Sequence, residues 1–408
     1  RYVSAMERAF FAWMWSVHGY EVPVPPPSNK GQLWDHKEEW QRRFPRNPFT
    51  EIISRGALFE AEFIAVPRQD GPRPSCKLTP DEWKHANVSV QDWVSKGYVT
   101  CLGRMQDQSE FGSDGYIYSG IVVVAKKSRD GTIKKRGCLG ATLPNTFIRK
   151  YPHHKMESSR EAKMVMQPWD VMFTADAREY YMMASLGPMT KRICRFVMKD
   201  EDGNDLAWQF EVLPFGLHPA SHWMMGLKAP VIELFRSQGH RLSTIMDDDT
   251  IFSATMIQAL RVAREYMNIM VALGFCFQLK KVSAFPQRVT EMHGFIFHSP
   301  SMSLLQPPYK ALRERKMAWD MVREINRGRS VNAKRWASLV GTVQSSCPAK
   351  YTARLNTFWC RAQMNRVLGQ RMDYSNHEVV QDEHKGELLG ELYRLVVSTQ
   401  IWKESETG

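Results

Sequence analysis

Residues 242–252 read LSTIMDDDTIF. Three consecutive aspartates, Asp247, Asp248 and Asp249, stand between two apolar runs of strand length. Like charges this close repel, and the cost is borne in an exposed turn or where a cation lies between them. The pattern predicts two strands joined through the aspartates. Side chains alternate along a strand, so Asp247 and Asp248 are not equivalent. Asp249 is then expected on the side of Asp247, unless the turn rotates it outward. Upstream, DVMFTADAREYYMMASL (170–186) reads as a strand running into a short helix, with Asp176 near the strand end. An aspartate at one strand end can lie beside a hairpin carrying two more. Mg²⁺ favours hard oxygen ligands, and two such ions about 4 Å apart stabilise the attacking and leaving oxygens of a phosphoryl displacement. The plainer alternative is an exposed acidic turn, as DEDGND at 200–205 is. Apolar flanks on both sides and a basic hairpin upstream favour the cation site.

The 408 residues are 43% apolar and 24% charged, the balance of a globular protein, and the length fits two or three domains or one large core with appended layers. No apolar run is long enough to cross a membrane as a helix. Seven cysteines form no CxxC pair, which points to a reducing compartment and no structural zinc. The net charge of +12 suggests a polyanionic partner, most simply nucleic acid. Between Lys126 and Lys155 nine basic residues accompany one acid, Asp130. The chain begins at Arg1 and reads as a fragment, a processed product or the ordered part of something longer.

VPVPPPSNKG (22–31) is a Pro-rich extended connector, and EEWQRRFPRNPF a short helix stopped by prolines. TPDE at 79–82 starts a helix: Thr79 caps, Pro80 takes the first position and Glu82 completes a capping box. Residues 119–140 predict a hairpin of β-branched GIVVVA, an SRDG turn and returning IKKRGCL. A second hairpin spans 192–216. Helices are expected over 218–239, with Pro230 inside, and over 255–274, whose apolar positions mark one buried face. FCFQLKK and MHGFIFH read as short strands, SMSLLQPP as a hairpin-like unit, and the chain after Pro308 as basic helices, one of them capped by Ser330 or Asn332.

In this order the motifs resemble those of reverse transcriptases, most closely of DIRS-like and Ty3-like retrotransposons, over residues 90–350. VVVAKKSRDGTIKKR is similar to the family's fingers hairpin, whose lysine (Lys126 or Lys127) and arginine (Arg136) contact nucleotide phosphates. FTADAREYY resembles the first catalytic motif, with Asp176 at the metal position and Tyr181 at the gate against a ribose 2′-hydroxyl. LPFGLHPAS resembles the motif beneath template and nucleotide, centred on Phe215 and Gly216. IMDDDT resembles the Tyr-x-Asp-Asp box, with Asp247 and Asp248 as its aspartates. Lys281 falls at the family's next lysine, and His293, Gly294 and Phe295 at the primer grip. Several positions depart from the pattern. Gly140 and Thr142 replace an Asp and an Arg, with Asn145 retained. Tyr180 stands where alanine is usual, in a place where its ring would crowd the nucleotide. Ser221 replaces a proline, Ile245 a tyrosine, and Asp249 an apolar residue.

The resemblance implies an α+β chain in the right-hand polymerase fold: fingers, a palm with an antiparallel sheet, and a helical thumb. The expected division is an N-terminal extension (1–89), fingers (90–170), palm (171–308, with 218–239 able to pack with the fingers), thumb (309–350) and a C-terminal helical extension (351–408). It implies an RNA-directed DNA polymerase using Mg²⁺ or Mn²⁺ on RNA or an RNA–DNA hybrid. An RNase H domain often follows in the family, and no second acidic set is evident here. The alternative is a catalytically inactive relative kept as an RNA-binding scaffold subunit of a large ribonucleoprotein. No membrane partner is expected. The implied location is nucleus or cytoplasm for the enzyme, or an organelle such as the mitochondrion for the scaffold. The positive face expected to meet a phosphate backbone comprises Lys126, Lys127, Lys134, Lys135 and Arg136.

Overall fold

The computed structural model describes residues 26–127, 133–151, 156–278, 281–283, 285–369, 373–378, 380 and 382–397. The aromatic N-terminus, the SRDG turn and Lys155 lie outside the described residues, as do the side chains of Lys126, Lys127 and Lys134. In chain order come helices α1 (Gln32–Asp35), α2 (Lys37–Arg43), α3 (Pro48–Ser54) and α4 (Pro80–Ser95). Strands β1 (Val99–Arg104), β2 (Tyr118–Lys127) and β3 (Ile133–Leu139) follow, then α5 (Thr142–Phe147) and α6 (Ser159–Val165). The next group is β4 (Val171–Asp176), a 3₁₀ turn (Tyr180–Met183), α7 (Pro188–Ile193), β5 (Arg195–Lys199), β6 (Asp205–Phe210) and α8 (Ala220–Ser237). After it come β7 (Arg241–Ile245), β8 (Asp248–Ser253) and α9 (Met256–Ala272). The rest is β9 (Val289–Met292), β10 (Phe295–His298), β11 (Ser303–Leu305), α10 (Pro308–Asn326), β12 (Val331–Asn332), α11 (Ala333–Ser345), α12 (Phe358–Leu368), β13 (His377–Glu378) and α13 (Asp382–Val397).

These elements form two compact units, one of Arg1–Glu157 with Val171–Gln287, the other of Ser158–Asp170 with Arg288–Gly408. The first holds a five-stranded mixed sheet, β1-β6-β5-β2-β3, in which β2 and β5 run parallel, and a three-stranded antiparallel sheet, β4-β8-β7. Local chemistry accounts for much of this. The capping box at Thr79 and Glu82 is present and α4 starts there. Asn47 caps α3 ahead of Pro48, and Thr255 caps α9. The β2–β3 and β5–β6 hairpins pair as their alternation predicts. Pro230 lies inside α8, which continues through it.

The three-stranded sheet turns one face to α8 and α9. Strand alternation decides which side chains go there. Phe173, Ile251 and Leu242 are cross-strand neighbours and all buried, as are Ala175, Asp249 and Thr244 one pair further along. Asp176 and Asp248 fall on the opposite face. Residues 26–54 pack into the same core: Trp40 is fully buried and its indole N–H donates to the Leu273 carbonyl at 2.9 Å.

Two expected elements differ. FCFQLKK is not a strand among the described residues; it makes one isolated bridge, Ala177 to Phe277. The following segment exchanges backbone hydrogen bonds with β4 at Met172–Gln287 and through Ser283 to Thr174. It thereby covers the open edge of the sheet, which would otherwise present unpaired amides. SMSLLQPP contributes a single strand, β11, that adds to the β9–β10 hairpin. In the second unit Asn332 caps α11, and Trp336, Leu339 and Leu392 lie in its own core. No helix among the described residues is long and apolar enough to cross a membrane.

Candidate nucleotidyl-transfer site

Asp176 ends β4 and faces Asp248, the first residue of β8, directly across the ladder. Ile245 also pairs with Asp248, so Met246 and Asp247 form a two-residue loop. Met246 holds a φ of 57°, a conformation that tight hairpins usually give to Gly or Asn. The Asp247 carbonyl accepts from the Ala177 amide at 2.8 Å. Asp176, Asp247 and Asp248 therefore meet at one end of the sheet. The turn itself is shorter than DDD, and Asp248 rather than Asp247 is the cross-strand partner of Asp176.

The Lys281 ammonium donates to Asp176 Oδ2 at 2.6 Å. It is placed by backbone bonds from Gln278 to the Asp176 carbonyl and from Lys281 to the Gln278 carbonyl. The Asp248 carboxyl is pushed up to about 7, first by the protein crowded around it, then by the charges of Asp247 and Asp176 and a hydrogen bond to Asp176. Its outer side stays open to water, which screens part of that repulsion. Burial also raises Asp247; its own backbone amide opposes this and Asp176 adds to it.

Among the described residues, no group of three or more His, Cys, Asp or Glu side chains is disposed to hold a metal ion. The donors are nevertheless of the right kind: hard carboxylate oxygens, crowded enough to raise two of their pKa values. Lys281 and the hydrogen bond between Asp176 and Asp248 offset that crowding here, and a divalent cation would offset the same set.

Asp249 is not part of this cluster. It is 2% exposed and forms an ion pair with Lys228 of α8 at 2.5 Å. Thr244 Oγ1 and Tyr266 Oη each donate to it at 2.7 Å. Tyr180 is buried as well. Its ring stacks on Phe275 and its hydroxyl donates to the Met224 carbonyl at 2.7 Å.

Tyr181 lies at the mouth of the cluster. Its hydroxyl donates to Met246 Sδ at 3.8 Å, and its ring meets Phe215 edge-on at 5.0 Å. Burial and the Asp247 charge push its phenol up to about 12. Gly216 has a φ of 102°, open to glycine and strained for other residues. Its carbonyl accepts from Asn145 Nδ2 at 2.9 Å, and Asn145 Oδ1 accepts from the His218 amide at 2.8 Å. The retained asparagine thus ties the Phe215–Gly216 loop to the end of the β2–β3 hairpin. Gly140 closes that hairpin: a Cβ there would lie 2.8 Å from the Gly120 carbonyl oxygen, which excludes the family's aspartate.

Arg136 is exposed and pairs with Val124, on the face that also exposes Val122. Lys135 is on the other face, ion-paired with Asp81 of α4, so the expected five-residue positive face loses this member. Lys126 and Lys127 continue the strand opposite Lys134 and Ile133. His293 and Gly294 form the loop between β9 and β10, with φ of 51° and 76°; Phe295 is buried, under the Lys310 ammonium at 5.3 Å. They belong to the second unit.

Lys228 is a contributor that motif reading did not assign. The signal for Lys228 was a lone lysine on an apolar helix face, coupled to an acid where the pattern calls for an apolar residue.

No family model and no curated protein matches the chain. Among solved structures it is similar to the foamy viral protease-reverse transcriptase dRH in complex with double-stranded DNA, with a TM-score of 0.55 and 14% identity. That match covers 93% of this chain and 63% of the viral one. It is also similar to the foamy viral protease-reverse transcriptase in complex with an RNA/DNA hybrid, with a TM-score of 0.54, 12% identity and coverage of 92% and 47%. The chain spans less than two thirds of the length of either protein. What the likeness establishes is the architecture: the chain has a mixed α+β, reverse-transcriptase-like fold.

Proposed function

We propose that the chain is a template-directed DNA polymerase of the reverse-transcriptase kind, acting on RNA or an RNA–DNA hybrid. The observation that carries this is the meeting of Asp176, Asp247 and Asp248 at one sheet end, with Tyr181 and Phe215 at its mouth. A primer 3′-hydroxyl would attack the α-phosphate of a deoxynucleoside triphosphate and release pyrophosphate. Asp176, Asp247 and Asp248 would hold Mg²⁺ or Mn²⁺, which supplies charge stabilisation on the attacking and leaving oxygens. Arg136, with Lys126 or Lys127, would neutralise the triphosphate. Tyr181, braced edge-on by Phe215, would occupy the space of a 2′-hydroxyl, and the Gly216 loop would support the nucleotide from below. Lys281 would orient Asp176. His293, Gly294 and Phe295 would meet the primer strand. The complexes of the two viral proteins with duplex DNA and with an RNA/DNA hybrid support a nucleic-acid partner of this class.

One observation favours a second reading. Lys281 already neutralises Asp176, and no three-carboxylate cage is assembled among the described residues. A relative that keeps the fold to bind RNA within a larger ribonucleoprotein would need no more. Primer extension on RNA and DNA templates, with Mg²⁺ and with Mn²⁺, separates the two. The polymerase reading expects extension by the wild type and at least about a thousandfold loss in Asp247→Asn, the scale of removing a group that acts on the transition state. Extension that survives in Asp247→Asn would remove that residue from the site. Absence of extension under every template and metal, with RNA binding retained, would select the scaffold.

A further inference from the structure

Beneath the Met246–Asp247 loop lies a fully buried lysine. Lys228 of α8 is 0% exposed. Its ammonium donates to Asp249 Oδ1 at 2.5 Å and to the Met246 carbonyl at 2.7 Å, and stands 5.3 Å from the centre of the Tyr180 ring. Asp249 is completed by the hydroxyls of Thr244 and Tyr266. A buried ion pair of this kind seldom adds net stability over an apolar pair of the same size. Charge balance explains the bond to Asp249; it does not explain the bond to Met246. That second bond reaches the one residue of the hairpin held at positive φ, next to Asp247. Strained backbone persists where its surroundings over-determine it.

We propose that Lys228 is a positioning residue: it clamps the Met246 carbonyl and fixes the loop that presents Asp247. Strand alternation turns Asp249 to the face of α8, where it meets Lys228. Asp249 supplies the buried counter-charge that lets a lysine reach the loop from below, and Tyr180 fills the space above the ammonium. The unusual Asp249 and Tyr180 belong to one device.

The clamp is tested without relying on catalysis, so its failure and that of the polymerase reading remain separate. Lys228→Met with Asp249→Leu replaces the ion pair by apolar groups and is expected to fold, whereas either charge left alone would be stranded. Lys228→Gln with Asp249→Asn removes both charges together and keeps an amide donor beneath the Met246 carbonyl. Hydrogen–deuterium exchange is read on a peptide covering 242–252, beside Mn²⁺ affinity. The apolar double variant should show the thermal midpoint of the wild type, about tenfold faster exchange in that peptide alone, and about tenfold weaker Mn²⁺ binding, the scale of one charge-assisted hydrogen bond. The amide double variant should exchange more slowly than the apolar one. Two results would overturn the proposal: wild-type exchange in the folded apolar variant, or equally fast exchange in the two double variants. If the wild type binds no Mn²⁺ and extends no primer, the polymerase reading fails while the exchange comparison still decides the role of Lys228.

Discussion

Asp248 is the residue on which charge, register and chemistry meet. Its carboxyl is raised from 3.8 to about 7 because protein crowds it and two carboxylates face it. The linkage sign follows. Below about pH 4 the group is protonated in both folded and unfolded chains, and its contribution is fully present. Between about pH 4 and pH 7 the folded form keeps a proton that the unfolded form has lost, so stability falls as pH rises through the folded pKa. The metal-free protein should therefore lose thermal stability across that window, and Asp248→Asn should flatten the loss. A scan of Tm against pH for the two proteins checks this; parallel curves would mean that the carboxylates are less crowded than the ladder places them. Tyr180 shows what a motif does not carry: its hydroxyl is satisfied by the Met224 carbonyl inside the core, a contact 44 residues away in sequence.

At the scale of elements, the β2–β3 hairpin depends on Gly140. The hairpin's end folds back so closely that the Gly140 amide donates to the Gly120 carbonyl at 2.9 Å. A methyl group at this position would press on that oxygen, and backbone cannot yield as a flexible side chain does. Gly140→Ala should cost about 1–3 kcal/mol, measured by denaturant unfolding. It should also loosen the Asn145 brace on the Gly216 loop, which starts from the same end of the hairpin. Little change would mean that this close approach relaxes easily. The hairpin, the capped helix α4 and the β5–β6 hairpin were legible because local periodicity and capping specify them. FCFQLKK was not, because its bridge to Ala177 and its bond to the Asp176 carbonyl are non-local contacts with no local pattern.

Across the whole molecule, an excess charge of +12 gives a general attraction to polyanions, while the fold decides which cations are free to use it. Strand alternation separates two neighbours that look alike in sequence. Arg136 is exposed, and Lys135 is ion-paired with Asp81. Arg136→Ala should lower the slope of log affinity for a duplex against log salt by about one, the value for one phosphate contact on DNA. Lys135→Ala should lower it by clearly less. Equal slopes for the two variants would show that the hairpin meets nucleic acid by neither face in particular.

By itself the sequence determined the two hairpins and the capped helix starts. Each of these is written in short-range chemistry: alternation and capping residues. Only the tertiary structure decided that Asp248 faces Asp176, that Asp249 turns inward to Lys228, that Tyr180 joins the core, and that Lys281 reaches Asp176. Lys228 and Asp249 are 21 positions apart, and Asp176 and Lys281 are 105 apart. A buried charge must find its partner or stay expensive, and where that partner lies is settled by how helices and sheet pack, not by the residues on either side.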